Sequence, residues 1–427
     1  MRGLSRRGWC PGLSRPMLTG DGLLVRFLPA DHIAVAAFIE LCDAARRHGN
    51  GTIEISARGS VQVRGLTERS AAAFARDVEA LAIPAADGVP IVVDPLPEDP
   101  NCLVDATSVA SKLRSHIARA GLALGPKLCM TIDGGGRVHL DALSADVRLR
   151  AASTDGGPRL QVAIAGDANS AIPLGLIRLD EVSETVVRLL ATIAEHGPAA
   201  RARDCIRALR KAGGEIGSDA PYQFAARLPA EPIGVHALRD EKVVLGVAPA
   251  FGHAHATAFI ELAHITGAHG GAALRPAPGR ALLLINAARA QMHELARKAS
   301  ACGFIVRPDD PRRRIIACPG SSACASGLIP ARTLAAEIAP HVRDVQDNIH
   351  ISGCAKGCAH PASAPLTIVG TEHGCGIVRH GTARVAPSRY VDAANLINET
   401  VQEVQLSAGQ PFSCRLPLPL GEGWVRD

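Results

Sequence analysis

Apolar and polar positions in this chain fall into two periods that take turns. Across GTIEISARGSVQVRGL, Ile53, Ile55, Val61 and Val63 alternate with polar residues, the two-residue period of half-buried strands. Residues 23–66 read in full as a strand, a Pro-marked turn, an amphipathic helix, a Gly-rich turn and a second strand. The same succession returns over residues 244–284. There the AFIEL string (37–41, then 258–262) and the HG pair (His48-Gly49, then His269-Gly270) recur at one offset of 221 residues without a gap. Strand–helix–strand units of this kind form half of a ferredoxin-like sheet, and two copies complete one another.

A further α/β stretch follows each repeat. The first has a helical segment near 105–120, a strand pair around KLCMTIDGGGRVHLDAL and a helix near 181–212. Its Gly134-Gly135-Gly136 run predicts a hairpin turn; no helix start follows it, so it is not a phosphate loop. The second has a helix near 330–340 and strands around 347–352 and 364–370. APAADGVPIVVDPLPEDP, rich in Pro and Asp, predicts a connector. The expected division is 1–94 for the first half-domain, 95–235 for an α/β domain, 236–310 for the second half-domain, 311–410 for a second α/β domain and 411–427 for a disordered Pro/Gly-rich tail. The fold class is α+β with pseudo-twofold symmetry.

At 427 residues, 47% apolar and 3% aromatic, the chain builds its interior from Ala, Leu, Val and Ile. Prolines, arginines and aspartates interrupt every apolar run before membrane-spanning length, and the basic start lacks the apolar stretch of a signal peptide. With most of its 12 cysteines isolated, a reducing cytoplasm is expected, and no membrane partner. The net charge of +5 gives no argument for nucleic acid. Arginine supplies nearly all the positive charge, and guanidinium is the better fork for carboxylates and phosphates.

The candidate chemistry lies in two cysteine pairs, CPGSSAC (Cys318, Cys324) and GCAKGC (Cys354, Cys358). Four thiolates brought to one point suit a [4Fe-4S] cluster. Zinc competes, but its structural cysteines usually sit closer together than the first pair. Buried unligated thiols are the plain alternative.

On these cysteines, the doubled half-domain, and the strings WCPGLSRPMLTGDGLLVRF, GNGTIEISARGSVQVRGL and HISGCAKGCAHP, the chain resembles the nitrite/sulfite reductase superfamily. Within it, the chain is most similar to the branch serving aerobic cobalamin biosynthesis. The resemblance implies two reductase-type α/β domains and makes Cys318, Cys324, Cys354 and Cys358 the cluster ligands, with Cys358 facing a tetrapyrrole pocket. It implies roles for Arg26 and Arg58 and for Lys127 in catalysis, and for those three with Gln62 and Arg64 in holding substrate carboxylates. Arg275 and Arg280 occupy the matching region of the second repeat.

Where the reductases carry a second active-site lysine this chain has Cys129, and a basic residue expected beside Asn101 is Pro100. Reducing an oxyanion needs such cations. Their loss argues against a six-electron reductase; the resemblance implies instead a monooxygenase that hydroxylates precorrin-3A at C20 with O2 and closes a γ-lactone. A sirohaem-dependent reductase and a non-catalytic electron carrier are the alternatives. The expected cofactors are the cluster, a mononuclear non-haem iron with His360 as the favoured ligand among His350, His360, His373 and His380, and, as a lesser candidate, sirohaem. No GxGxxG follows a strand, so NADH would act indirectly through an electron-donor protein, on a monomer. Cys10, Cys42, Cys102, Cys205, Cys302, Cys375 and Cys414 read as incidental thiols.

Overall fold

The computed structural model describes residues 11–83, 88–214, 222–342, 348–392, 395–400 and 402. The expected tail, Cys10 and Cys414 lie outside these residues. Among the described residues no helix is long and apolar enough to cross a membrane.

Four five-stranded sheets form two pairs. In the first repeat the order is Met17–Thr19, Gly22–Phe27, Val61–Leu66, Thr52–Ile55, then His253–His255 from the second repeat. In the second repeat it is Gly234–Ala237, Val243–Val247, Ala281–Ile285, Ala273–Ala277, then Ile33–Ala34 from the first. Each repeat thus lends the short strand before its helix to the other's sheet, at the same 221-residue offset. The helices Val35–His48 and Ala256–Ala268 start at that offset too, and Phe38 meets its own equivalent Phe259 edge-on, ring centroids 6.1 Å apart. One apolar core runs through both repeats.

The two α/β domains, here called wings, share a second topology. The first orders Ile91–Val93, Met130–Asp133, Ala145–Thr154, Gly157–Gly166 and Ile172–Ile177. The second orders Ile315–Ala317, Ile349–Ser352, Ala364–Thr371, Gly374–Gly381 and Arg389–Val391. In both, the first two pairings are parallel and the last two antiparallel. Each wing has its own core.

Four expectations need correction. Gly134–Gly136 is not a hairpin: Met130–Asp133 pairs in parallel with Ala145–Thr154, and the hairpin joins Thr154 to Gly157. These glycines permit close approach instead, since a Cβ on Gly134 would lie 2.2 Å from the Val104 carbonyl oxygen. The expected connector contains Ile91–Val93, the edge strand of the first wing, so the first boundary falls before residue 91 rather than after 94. Likewise Gly234–Ala237 belongs to the second repeat, ahead of the expected start at 236. The helix expected over 181–212 is two, Val182–Glu195 and Ile206–Gly213, parted by a stretch containing Gly197 and Pro198.

Candidate functional site

Cys318 directly follows the edge strand Ile315–Ala317, and Cys354 and Cys358 lie in the loop leaving Ile349–Ser352. The parallel pairing of these strands sets the two loops side by side. The Gly353 N–H donates to the Cys318 sulfur at 3.0 Å, and the Leu328 N–H donates to the Gly353 carbonyl at 2.7 Å. Glycine is required at the crossing, where a Cβ on Gly353 would come within 2.8 Å of Gly320 Cα. Burial pushes the Cys358 thiol up, and so do the nearby thiols of Cys354, Cys318 and Cys324, so the four are neighbours. Cys358 is exposed; the other three are half-buried.

These thiols fit an iron–sulfur cubane better than a closed zinc site. A zinc tetrahedron with Zn–S of about 2.3 Å sets sulfurs about 3.8 Å apart. Among the described residues the one trio of ligand atoms mutually within 4.8 Å is Asp133, His139 and Asp141, so no three of these sulfurs are that close. A cubane asks for wider spacing, because each cysteine binds a different iron.

A buried polar row ties the cluster loops to the first repeat. Arg64, 4% exposed, donates from Nε and Nη2 to Asp21 at 3.0 and 2.8 Å and from Nη2 to the Ala323 carbonyl, beside Cys324. Its Nη1 lies 3.5 Å from Glu54, which also accepts from Arg332 at 2.9 Å and from Gln62 at 3.0 Å. Gln62 in turn accepts from Arg26 at 2.7 and 3.0 Å. Burial works against the charged form of Glu54, yet Arg332 and Arg64 hold it below the usual carboxylate range. The expected clamp residue Arg64 is therefore a buried anchor with its donors engaged. Arg26 and Gln62 lie further along the same row.

Arg58 and Lys127 belong to a second group. Arg58 donates to the Ser144 carbonyl at 2.8 Å, reaching the first wing next to Cys129. Cys129 is buried with its sulfur 3.7 Å from that same carbonyl; burial pushes its thiol up, against the pull of Arg58 and Arg201. Lys127 is exposed in the loop before it, and Pro100 and Asn101 are exposed as well. Sequence reasoning missed Glu54 and Arg332. Glu54 alternates with Ile53 and Ile55 and so reads as solvent-facing, although it pairs across the sheet with Gln62.

The histidines do not gather. His373 and His380 are exposed on the Gly374–Gly381 hairpin and its turn. His350 is fully buried under the cysteine loop, its ring 5.6 Å from that of His360, and neither of its nitrogens has a partner. Burial, with His360 and Arg280 adding to it, pushes His350 down to about 4. Among the described residues no trio of ligand atoms within 4.8 Å of one another includes His360. The Asp133–His139–Asp141 trio is taken up by Arg227, which bridges the two carboxylates at 2.5 and 2.6 Å.

The shared wing topology reveals an unexpected counterpart. Asp94 follows its edge strand as Cys318 follows its own, and its Oδ1 accepts from the Gly134 N–H at 2.9 Å as the Cys318 sulfur accepts from Gly353. The Leu103 N–H donates to Gly134 as Leu328 does to Gly353. Asp94 is 2% exposed and accepts from the Cys102 thiol at 3.3 Å; burial, with the charge of Asp133 adding, raises its carboxyl to about 6. A carboxyl raised from 3.8 binds its proton more tightly when folded, so this group costs stability as pH rises from about 4 through 6, in total about 3 kcal/mol. Asp94→Asn keeps the acceptor for Gly134 and removes that charge. Its melting temperature is expected to exceed wild type by several degrees at pH 8 and by much less at pH 5; a gap that does not change with pH defeats the assignment.

A family model described as the nitrite/sulfite reductase ferredoxin-like half domain matches residues 15–81. A precorrin-3B synthase from Sinorhizobium sp is 38% identical over 398 residues, covering 91% of this chain and 86% of that protein. A sulfite reductase (ferredoxin) of Mycobacterium tuberculosis is 25% identical over 162 residues, 36% of this chain and 29% of that protein. Among solved structures, the Mycobacterium tuberculosis NirA protein superimposes with a TM-score of 0.73 over 92% of this chain and 82% of that one, at 19% identity, a likeness of fold.

Proposed function

Because the chain belongs to the precorrin-3B synthase family of the nitrite/sulfite reductase superfamily, we propose that it hydroxylates precorrin-3A at C20 with dioxygen and closes the γ-lactone of precorrin-3B. One oxygen atom enters the tetrapyrrole and the other leaves as water, with two electrons and two protons consumed. The reading rests on the match along nearly the whole chain, against a sulfite reductase match over about a third of it.

In this reading Cys318, Cys324, Cys354 and Cys358 hold a [4Fe-4S] cluster, which supplies one-electron transfer that side chains cannot. Arg64 holds the Cys324 loop against the first repeat. Arg26, in a row whose far end is the Glu54–Arg332 pair, presents a guanidinium of fixed orientation to a substrate carboxylate, with Gln62 as its positioning residue. Arg58, reaching out from the first repeat, and Lys127, on the first wing, neutralise further carboxylates. Cys129, buried and neutral, adds no cation there, which suits a neutral oxidant rather than an oxyanion. Electrons come from NADH through a donor protein. A monomer suffices, since the repeats complete each other's sheets.

The test is anaerobic purification, analysis of iron, sulfide and absorption, and then addition of precorrin-3A, dioxygen and reductant. The expected result is cluster-level iron and sulfide without haem bands, and a product heavier by one oxygen derived from O2. A sirohaem spectrum with nitrite or sulfite turnover and no precorrin product overturns the proposal.

A further inference from the structure

Between the second repeat and the edge strand Ile91–Val93 of the first wing lies a small cavity onto which three arginines converge: Arg58, Arg114 and Arg275. Arg275, on Ala273–Ala277, is 6% exposed. Among the described residues its ion pair is to Asp31 at 3.7 Å, beyond hydrogen-bond distance, and Asp31 is half-exposed and already bonded to His32 at 3.0 Å. Arg114, on the helix Ala106–Ala120, donates one Nη to the Ile91 carbonyl at 3.2 Å, while its buried Nε has no partner. Arg58 donates one Nη to Ser144.

The repeat provides an internal control. Arg275 stands 221 residues after Glu54, at the equivalent strand position. Glu54 is matched there by Arg332, Arg64 and Gln62 within 3.5 Å. Among the described residues no carboxylate hydrogen-bonds Arg275, and Asp31, Asp94 and Asp105 act on it only from further off. Burying a cation that is neither paired nor hydrogen-bonded is costly, and the cost falls when an anion bonds to it. Burial lowers the proton affinity of both Arg275 and Arg114, with Arg275 adding to the effect on Arg114, as expected for cations crowded together.

Shape narrows the ligand. The space open to the centre of a water-sized sphere is about 20 Å3, enough for one small polar head and far too little for a macrocycle. Leu28, Pro29, Pro95, Pro276 and Pro278 form an apolar rim suited to the methylenes that carry a carboxylate.

We propose that Arg58, Arg114 and Arg275 form a pocket for a single oxyanion, either a carboxylate arm of the tetrapyrrole substrate or a free inorganic oxyanion. The substrate source rests on the function proposed above; the free source does not. The test uses the full-length, cluster-loaded protein and the variants Arg275→Gln and Arg114→Gln. KM for precorrin-3A is measured, together with the melting temperature in sodium sulfate against sodium chloride at equal ionic strength. If a substrate arm binds, KM rises about tenfold or more in each variant, exceeding any fall in kcat. If a free oxyanion binds, sulfate raises the melting temperature of wild type by more than that of either variant, over the general stabilisation sulfate gives any fold. Wild-type KM and wild-type sulfate response in both variants overturn the pocket. Should precorrin-3A prove not to be a substrate, the sulfate comparison alone decides. Arg114→Gln, at a half-exposed helix position, guards against misfolding of the more buried Arg275→Gln.

Discussion

Cys318→Ala protein prepared without oxygen is expected to lose its cluster and its oxygen-dependent turnover altogether, while Cys375→Ala keeps both. The two thiols differ in surroundings rather than in chemistry. Cys318 sits where two loops cross, accepts from the Gly353 N–H and faces three other cysteines. Cys375 is buried within the Gly374–Gly381 strand, and only burial raises its thiol. Removing one of four thiolates leaves an iron without its protein ligand. Iron and sulfide analysis with the visible spectrum reads the outcome. Wild-type content in Cys318→Ala would show that the four cysteines are not the ligand set.

Arg64→Met is the second large effect. It strands Asp21, 17% exposed at its side chain, next to an apolar residue, and leaves Glu54, 7% exposed, with Arg332 as its one charged partner among the described residues. Breaking one side of a buried ion network typically costs about 3–5 kcal/mol. Besides that loss of stability, the variant is expected to shed its cluster faster than wild type on mild chelation, because the Ala323 carbonyl loses its anchor. The effect has a pH signature. Burial raises the Asp21 carboxyl, but Arg64 outweighs it and holds the group below the usual carboxylate range. A depressed carboxyl stabilises the fold above its unfolded value, and that contribution fades as pH falls through the folded one. The deficit of Arg64→Met should therefore be full at pH 7 and shrink below about pH 4. Equal cluster loss at pH 7 in Arg64→Met and wild type would exclude the anchoring role.

Much of this was legible in the sequence. The AFIEL repeat gave both helices their positions, and the offset it defines also relates the lent strands. The cysteine loops carried their own spacing. What was hidden depends on long-range neighbours. Arg64 and Gln62 look alike in an alternating strand, yet one is locked to Asp21 and the other supports Arg26, a difference made by the Cys324 loop from another domain. Asp94 shares no residue type with Cys318, so their equivalence shows only in matching hydrogen bonds. The triple glycine was misread because a tight backbone approach and a hairpin favour the same residue.

The lent strands impose an order on synthesis. The first repeat's sheet closes on His253–His255, so its edge stays open until that segment has left the ribosome. At about 5–20 residues per second, the 221-residue interval between equivalent positions takes about 10–45 s. Only afterwards do Cys318, Cys324, Cys354 and Cys358 emerge, in that order. If the four cysteines hold the proposed cluster, it is therefore built only after the repeats have interlocked and the Cys324 loop has reached Arg64, so that metal loading comes last.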